Sequence, residues 1–166
     1  MAGPILVAYA SRFGTTAEVA QAIAVTLREQ GLRVELLPAE EVDDLGPYSG
    51  VVLGGGIYIG RWHRDARGFV RLFEEELRRI PVAVFALGPV TDRPNDQADS
   101  EGQLRRNLER LPVKPFDVRV FGGAFDPAKV AFPFNRMPAA DVRNWDTIRA
   151  WALKLAGRFQ AVRALA

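Results

Sequence analysis

The chain has 166 residues, 48% hydrophobic and 25% charged, the balance of an ordinary globular protein. It contains no cysteine and a single histidine, His63, which excludes disulfides, thiolate metal sites, a cysteine nucleophile and a multi-histidine metal centre. Its 22 cationic residues are nearly all arginine, but 20 acids hold the formal net charge at +2, so no nucleic-acid partner is expected.

A chain of this length suits one domain over residues 1–166, with an irregular insertion near 125–140. The first apolar run, residues 5–9, is too short for a signal-peptide core or a membrane span. A cytoplasmic protein is expected, with peripheral contact at the inner face of a membrane left open. As an unbroken apolar run, 5–9 reads as a strand covered on both faces. Residues 16–30 place Val19, Ala20, Ile23, Ala24 and Leu27 at helical spacing and close at Gly31. Residues 32–37 alternate as a strand, and 51–53 form a third, running into a loop at Gly54, Gly55 and Gly56. A helix is predicted over 65–79, a strand over 81–87, a polar loop over 88–99 and a helix over 100–111. A last strand falls at 118–122 and a last helix at 145–159. Between them, Phe125, Phe132, Phe134 and Met137 alternate with Pro127, Pro133 and Pro138. This segment is expected to cover the core with its phenylalanines.

Strands alternating with helices imply an α/β fold: a doubly wound five-stranded parallel sheet, order 2-1-3-4-5, with helices on both faces. Right-handed crossovers put the first and last helices on one face. Ligands in such folds bind beyond the carboxyl ends of the strands, at the switch between strands 1 and 3. The loops to inspect therefore follow Tyr9, Leu53, Leu87 and Gly123.

The first of these loops carries Ser11, Arg12, Phe13, Gly14, Thr15 and Thr16. A helix N-terminus supplies free N–H groups and a positive dipole end, the hydroxyls can donate, and glycine lets the backbone curl around an anion. The Walker ending and the G-x-G-x-x-G fingerprint are both missing. Plain helix capping by Ser and Thr is the competing reading, and the position after strand 1 favours a phosphate.

This hexapeptide resembles the flavodoxin phosphate loop, (T/S)-x-(T)-G-x-T, which holds the monophosphate of FMN. Phe13 stands where flavodoxins usually have Thr, and Arg12 is placed to compensate by charge. The whole chain resembles the flavodoxin-like family. A closer resemblance is to the flavodoxin-type, quinone-dependent protoporphyrinogen oxidase group. It runs through residues 11–20, 51–70, 122–137 and Asn144-Trp145-Asp146. The resemblance implies FMN as cofactor. It places one face of the flavin ring against Gly56, Ile57, Tyr58, Ile59, Gly60 and Trp62. The aromatic residues there could equally cap the helix starting near Asp65. The other side of the ring falls to Leu87, Gly88, Pro89, Val90 and Thr91, before Asp92, where backbone groups replace the aromatic usual in flavodoxins.

Ordinary flavodoxins surround the flavin with acids. Here the expected rim carries Arg12, Arg61, His63, Arg64 and Arg93. Positive charge stabilises a reduced, anionic flavin and raises its potential, each charge being worth about 1 kcal/mol at ~4 Å in water-like surroundings. The arginines flanking His63 are expected to depress its pKa. A basic rim also suits an anionic substrate such as a porphyrinogen. The functional expectation is an FMN-binding redox protein that oxidises protoporphyrinogen IX with a quinone as acceptor. The alternatives are a flavodoxin-type electron carrier to partner enzymes, or a non-redox α/β binding module. A receiver-like module lacks its acidic cluster, because Tyr9 and Gly54–Gly56 occupy those strand ends. No side-chain catalytic dyad is evident, as suits a protein whose cofactor does the chemistry.

Overall fold

Each apolar run becomes a strand of one sheet. The computed structural model describes residues 2–91 and 93–165. Its main sheet is built from β1 (Ile5–Ala10), β2 (Val34–Pro38), β3 (Gly50–Tyr58), β4 (Arg61–Trp62), β5 (Val82–Leu87) and β6 (Asp117–Phe121). The order is β2-β1-β3-β5-β6, all parallel, with β4 folded back antiparallel on the end of β3. Counting the parallel strands alone, this is the expected 2-1-3-4-5 order.

The helices are α1 (Thr15–Glu29), α2 (Arg64–Leu72), α3 (Glu74–Leu77), α4 (Pro94–Glu109) and α5 (Trp145–Leu165). On one face of the sheet, Val19, Ile23 and Leu27 of α1 pack with Ile148, Trp151, Leu155 and Phe159 of α5. On the other, Phe69 and Val70 of α2 join Leu77, Leu104 and Leu108. The first and last helices therefore share a face, as right-handed crossovers require. Fully burying a side chain of this size contributes about 1.5–3 kcal/mol, so the two stripes fix which side of each helix turns inward. Among the described residues no helix is long and apolar enough to cross a membrane.

Four segments depart from the sequence reading. The glycine run is not a loop: β3 continues through it, pairing Gly54 with Tyr9 and Phe85, and Gly56 with Leu87. The helix expected over 65–79 breaks at Phe73, whose ring turns into the core 4.9 Å from that of Phe69. Half of the expected polar loop is helical, because α4 starts at Pro94. Proline suits a first helical position, where its missing N–H costs nothing, and Asp96 favours the positive end of the helix.

The late insertion does not cover the core. It is a loop between two short antiparallel strands, β7 (Ala124–Phe125) and β8 (Ala140–Asp141), with single 3₁₀ turns at Pro127–Lys129 and Phe134–Arg136. Phe132, Phe134 and Met137 are 67%, 59% and 52% exposed. Three prolines deny the segment a regular ladder or helix that could press these side chains onto the sheet. It stands instead over the carboxyl ends of the strands.

Candidate functional site

The loop from β1 to α1 is held open by its own side chain. Ser11 Oγ accepts the Gly14 N–H at 2.9 Å, and Gly14 sits at φ +88°, a conformation that costs other residues strain. The Gly14 carbonyl accepts the Glu18 N–H at 3.1 Å and starts the helix. Among the described residues nothing accepts from the N–H groups of Thr15, Thr16 and Ala17. Thr16 is 3% exposed, and its hydroxyl also lacks a partner among them. Free donors at the positive end of a 15-residue helix suit an anion.

Two cations reach this loop from far along the chain, and neither was visible in the sequence. Lys129 Nζ donates to the Phe13 carbonyl at 3.2 Å and would stand 3.8 Å from a Cβ placed on Gly14. Arg143 is a brace. Its side chain is 8% exposed and donates to the Thr15 carbonyl at 3.3 Å, Glu18 Oε2 at 3.0 Å and Asp141 Oδ2 at 2.7 Å. Its guanidinium lies 4.9 Å from the centre of the Trp145 ring. Hydrogen bonding to Arg143 holds the Asp141 carboxyl below its ordinary pKa. This cluster ties the start of α1 to the β7–β8 hairpin. Arg12 lies at the loop's edge, with its guanidinium 5.1 Å from the centre of the Phe13 ring.

Beyond the strand ends lies a cavity of about 1020 Å³, at the top of the usual range for small-molecule sites, roughly 300–1,000 Å³. It brings together Arg12, Phe13, Thr15 and Thr16 with Gly56–Ile59, Leu87–Thr91 and the insertion's Val130, Phe132, Phe134 and Met137. Ser11 and Gly14 shape the loop without lining this cavity, and Gly60 stays at the hairpin tip. Trp62 does not enter it: the indole is fully buried in the core and donates to the Gly55 carbonyl at 3.2 Å. Asp92 lies outside the described residues.

The three glycines have different tasks. A Cβ on Gly54 would overlap the Phe85 ring, and one on Gly55 would crowd Trp62 and Ala66. Only Gly56 lines the cavity.

Tyr58 reaches the cavity from a two-residue turn, Ile59 and Gly60, with φ +50° and +72°. Asn107 of α4 steadies this tip: its side chain donates to the Gly60 carbonyl at 2.9 Å and accepts the Trp62 N–H at 3.2 Å. Ile59 is fully exposed, and a β-branched residue at positive φ is strained. Ile59→Asn is therefore expected to stabilise the protein by about 1 kcal/mol, raising Tm by roughly 2–4 °C. An unchanged or lower Tm in a thermal melt would show that the turn carries no such strain.

His63 opens α2: its Nδ1 accepts the Asp65 N–H at 3.0 Å. Its pKa is lowered, as expected, but burial is the main cause. Asp65 and Glu40 push upward, and Arg64 and Arg12 push downward by less than burial does. The unfolded imidazole, near 6.5, therefore takes a proton before the folded one. Stability should be full above about pH 6.5 and decline below it as the cap is lost. The imidazole signal of this sole histidine can be followed directly by NMR, and a midpoint above 6.5 would contradict the reading.

A parallel sheet of this strand order, with a cavity beyond its carboxyl ends at the switch between β1 and β3, defines a doubly wound α/β protein with its ligand site in the usual place. A family model described as a flavodoxin domain matches residues 6–137. The chain belongs to this family, whose cofactor is FMN. It is 25% identical over 122 residues to the protoporphyrinogen IX dehydrogenase (quinone) of Escherichia coli K12, covering 72% of this chain and 67% of that protein. Among solved structures it is similar to flavodoxin 1 from Bacillus cereus, with TM-score 0.60, 17% identity, and 96% and 98% of the two chains covered. A flavodoxin from Streptococcus pneumoniae gives TM-score 0.62 at 17% identity, covering 94% of this chain and 99% of its own. The residues present fit FMN: unpaired donors at the start of α1 suit a phosphate, and a broad apolar cavity opens beside them.

Proposed function

We propose that this chain is an FMN-dependent oxidoreductase that takes two electrons from a flat, anionic, apolar substrate of porphyrinogen type and passes them to a quinone. The observation that carries the reading is the charge of the cavity. Among its described lining residues there are two cations, Arg12 and Lys129, and no carboxylate. FMN, when bound, supplies the redox chemistry, and the protein sets its place and potential.

In this reading the phosphate lies against Thr15, Thr16 and Lys129. Ile57 and Tyr58 cover one face of the ring, and the backbone from Leu87 to Thr91 meets its edge. Each nearby cation favours added negative charge by about 1 kcal/mol in water-like surroundings and more where water is excluded. That raises the potential, which suits an acceptor of substrate electrons better than a low-potential shuttle. The similarity to the E. coli dehydrogenase supports the porphyrinogen and quinone parts.

The test has two stages. FMN should bind the purified protein at micromolar concentrations or below. The bound couple should then have a higher two-electron midpoint than B. cereus flavodoxin 1 measured beside it. No binding would remove the cofactor assignment, and a midpoint as low as the flavodoxin's would favour the electron-carrier reading. Turnover of protoporphyrinogen IX with a soluble quinone tests the substrate.

A further inference from the structure

A second pocket of about 500 Å³ lies beside the cofactor cavity, and its charge is unbalanced. It is lined by Arg12, Arg61, Arg64 and Arg67, with His63 and Tyr58. The only carboxylate among its described lining residues is Asp65, 3.7 Å from Arg64 Nε and 4.0 Å from His63 Nδ1. Arg67 Nε donates to the Trp62 carbonyl at 2.9 Å, which aims the guanidinium and leaves its terminal nitrogens without a partner among the described residues. The Arg61 side chain has no hydrogen-bond partner among them either, and the Arg12 guanidinium is engaged only with the Phe13 ring. Arg93, although expected at the rim, lines neither space.

Guanidiniums gathered around one cavity repel each other unless an anion joins them, and their forked N–H groups match the two oxygens of a carboxylate. Arg12 and Tyr58 line both spaces, so they form the common wall. A molecule held by its acid arm in the small pocket would have its body at the entrance of the large one, past the shared wall of Arg12 and Tyr58.

We propose that this arginine pocket, which borders the β1–α1 loop at Ser11 and Arg12, is a subsite for the carboxylate arm of the substrate, distinct from the helix-start donors of Thr15 and Thr16. The proposal rests on the oxidoreductase reading and adds to it the residues that select an acid-bearing substrate. Arg61 and Arg64 are exposed hairpin and helix-start residues whose replacement leaves the core intact. Arg67 supports the Trp62 backbone and positions the pocket.

The experiment uses the FMN-loaded protein, wild type and Arg61→Gln/Arg64→Gln. The probes are mesoporphyrin IX, a stable porphyrin with two carboxylic acids, and its dimethyl ester. Binding is read from the porphyrin's own absorbance, independently of the flavin. The wild type should prefer the diacid by roughly tenfold or more, the scale of a hydrogen bond to a charged group. The double variant should lose that preference while its affinity for FMN stays within about twofold. Equal binding of diacid and ester by the wild type, or a preference that survives in the variant, would overturn the subsite. An FMN titration of both proteins comes first. If FMN fails to bind, the oxidoreductase reading falls, and the diacid preference of the protein itself still decides the subsite.

Discussion

Gly54→Ala is expected to destabilise the protein by about 3 kcal/mol, lowering Tm by roughly 6–12 °C. Gly54 lies in the middle of the sheet, paired with Tyr9 on one side and Phe85 on the other. Side chains of paired residues stand on the same face, and the Phe85 ring lies across the space that a Gly54 side chain would fill. That ring cannot retreat. It is fully buried, 6.1 Å from the Phe121 ring and 6.0 Å from Trp151. An added methyl must push the strand or force the ring off its rotamer, and interiors packed at this density resist both. Leu87, two residues beyond Phe85, lines the cavity, so FMN affinity should fall as well. The companion variant Gly54→Ala/Phe85→Leu removes the colliding ring and should be less destabilised than the sum of the two single changes. Simple additivity in chemical denaturation would mean that the glycine is not there to make room for the ring.

That glycine shows where the sequence was legible and where it was not. The strand order followed from five apolar runs and their intervening helical stripes, because burial on two faces and on one face leave different periods. The turn from β1 into α1 is legible because its hydroxyls and its glycine are adjacent in the chain. The run of three glycines reads as a loop in the sequence, but β3 continues through it. Two of them instead accommodate Phe85 and Trp62, rings contributed from elsewhere in the sequence. For the same reason Trp62 was placed at the flavin when it belongs to the core. The start of helix α4 is missed in the sequence because its first turns are polar, with no apolar stripe to mark them. Lys129 and Arg143 reach the start of α1 across more than a hundred residues, and no local pattern encodes such contacts. Pro133 and its neighbours did signal an irregular segment, but not that its phenylalanines would stand outward over the cavity.

Lys129 leads to the second large effect. Thr16→Ala/Lys129→Ala is expected to weaken FMN binding by roughly two to three orders of magnitude, with little change in the melting of the apoprotein. In the proposed pose the two groups approach the phosphate from different parts of the chain. Thr16 offers a hydroxyl from the first turn of α1, and Lys129 holds its ammonium against the Phe13 carbonyl. A hydrogen bond to a charged group contributes about 1.5–3 kcal/mol, and tenfold in affinity corresponds to about 1.4 kcal/mol. Two such losses set the expected range, reduced somewhat because neighbouring groups on one anion do not act independently. Riboflavin separates the causes. It has the ring and ribityl chain of FMN but no phosphate, so its affinity should be the same in wild type and double variant. A parallel loss for riboflavin would mean that the substitutions act by displacing the ring. Unchanged FMN binding would show that the cradle at α1 does not hold the phosphate. Salt provides an independent reading: the contribution of Lys129 is Coulombic and partly exposed, so the gap between wild type and Lys129→Ala should narrow as ionic strength rises. The share due to Thr16, buried and acting at short range, should persist.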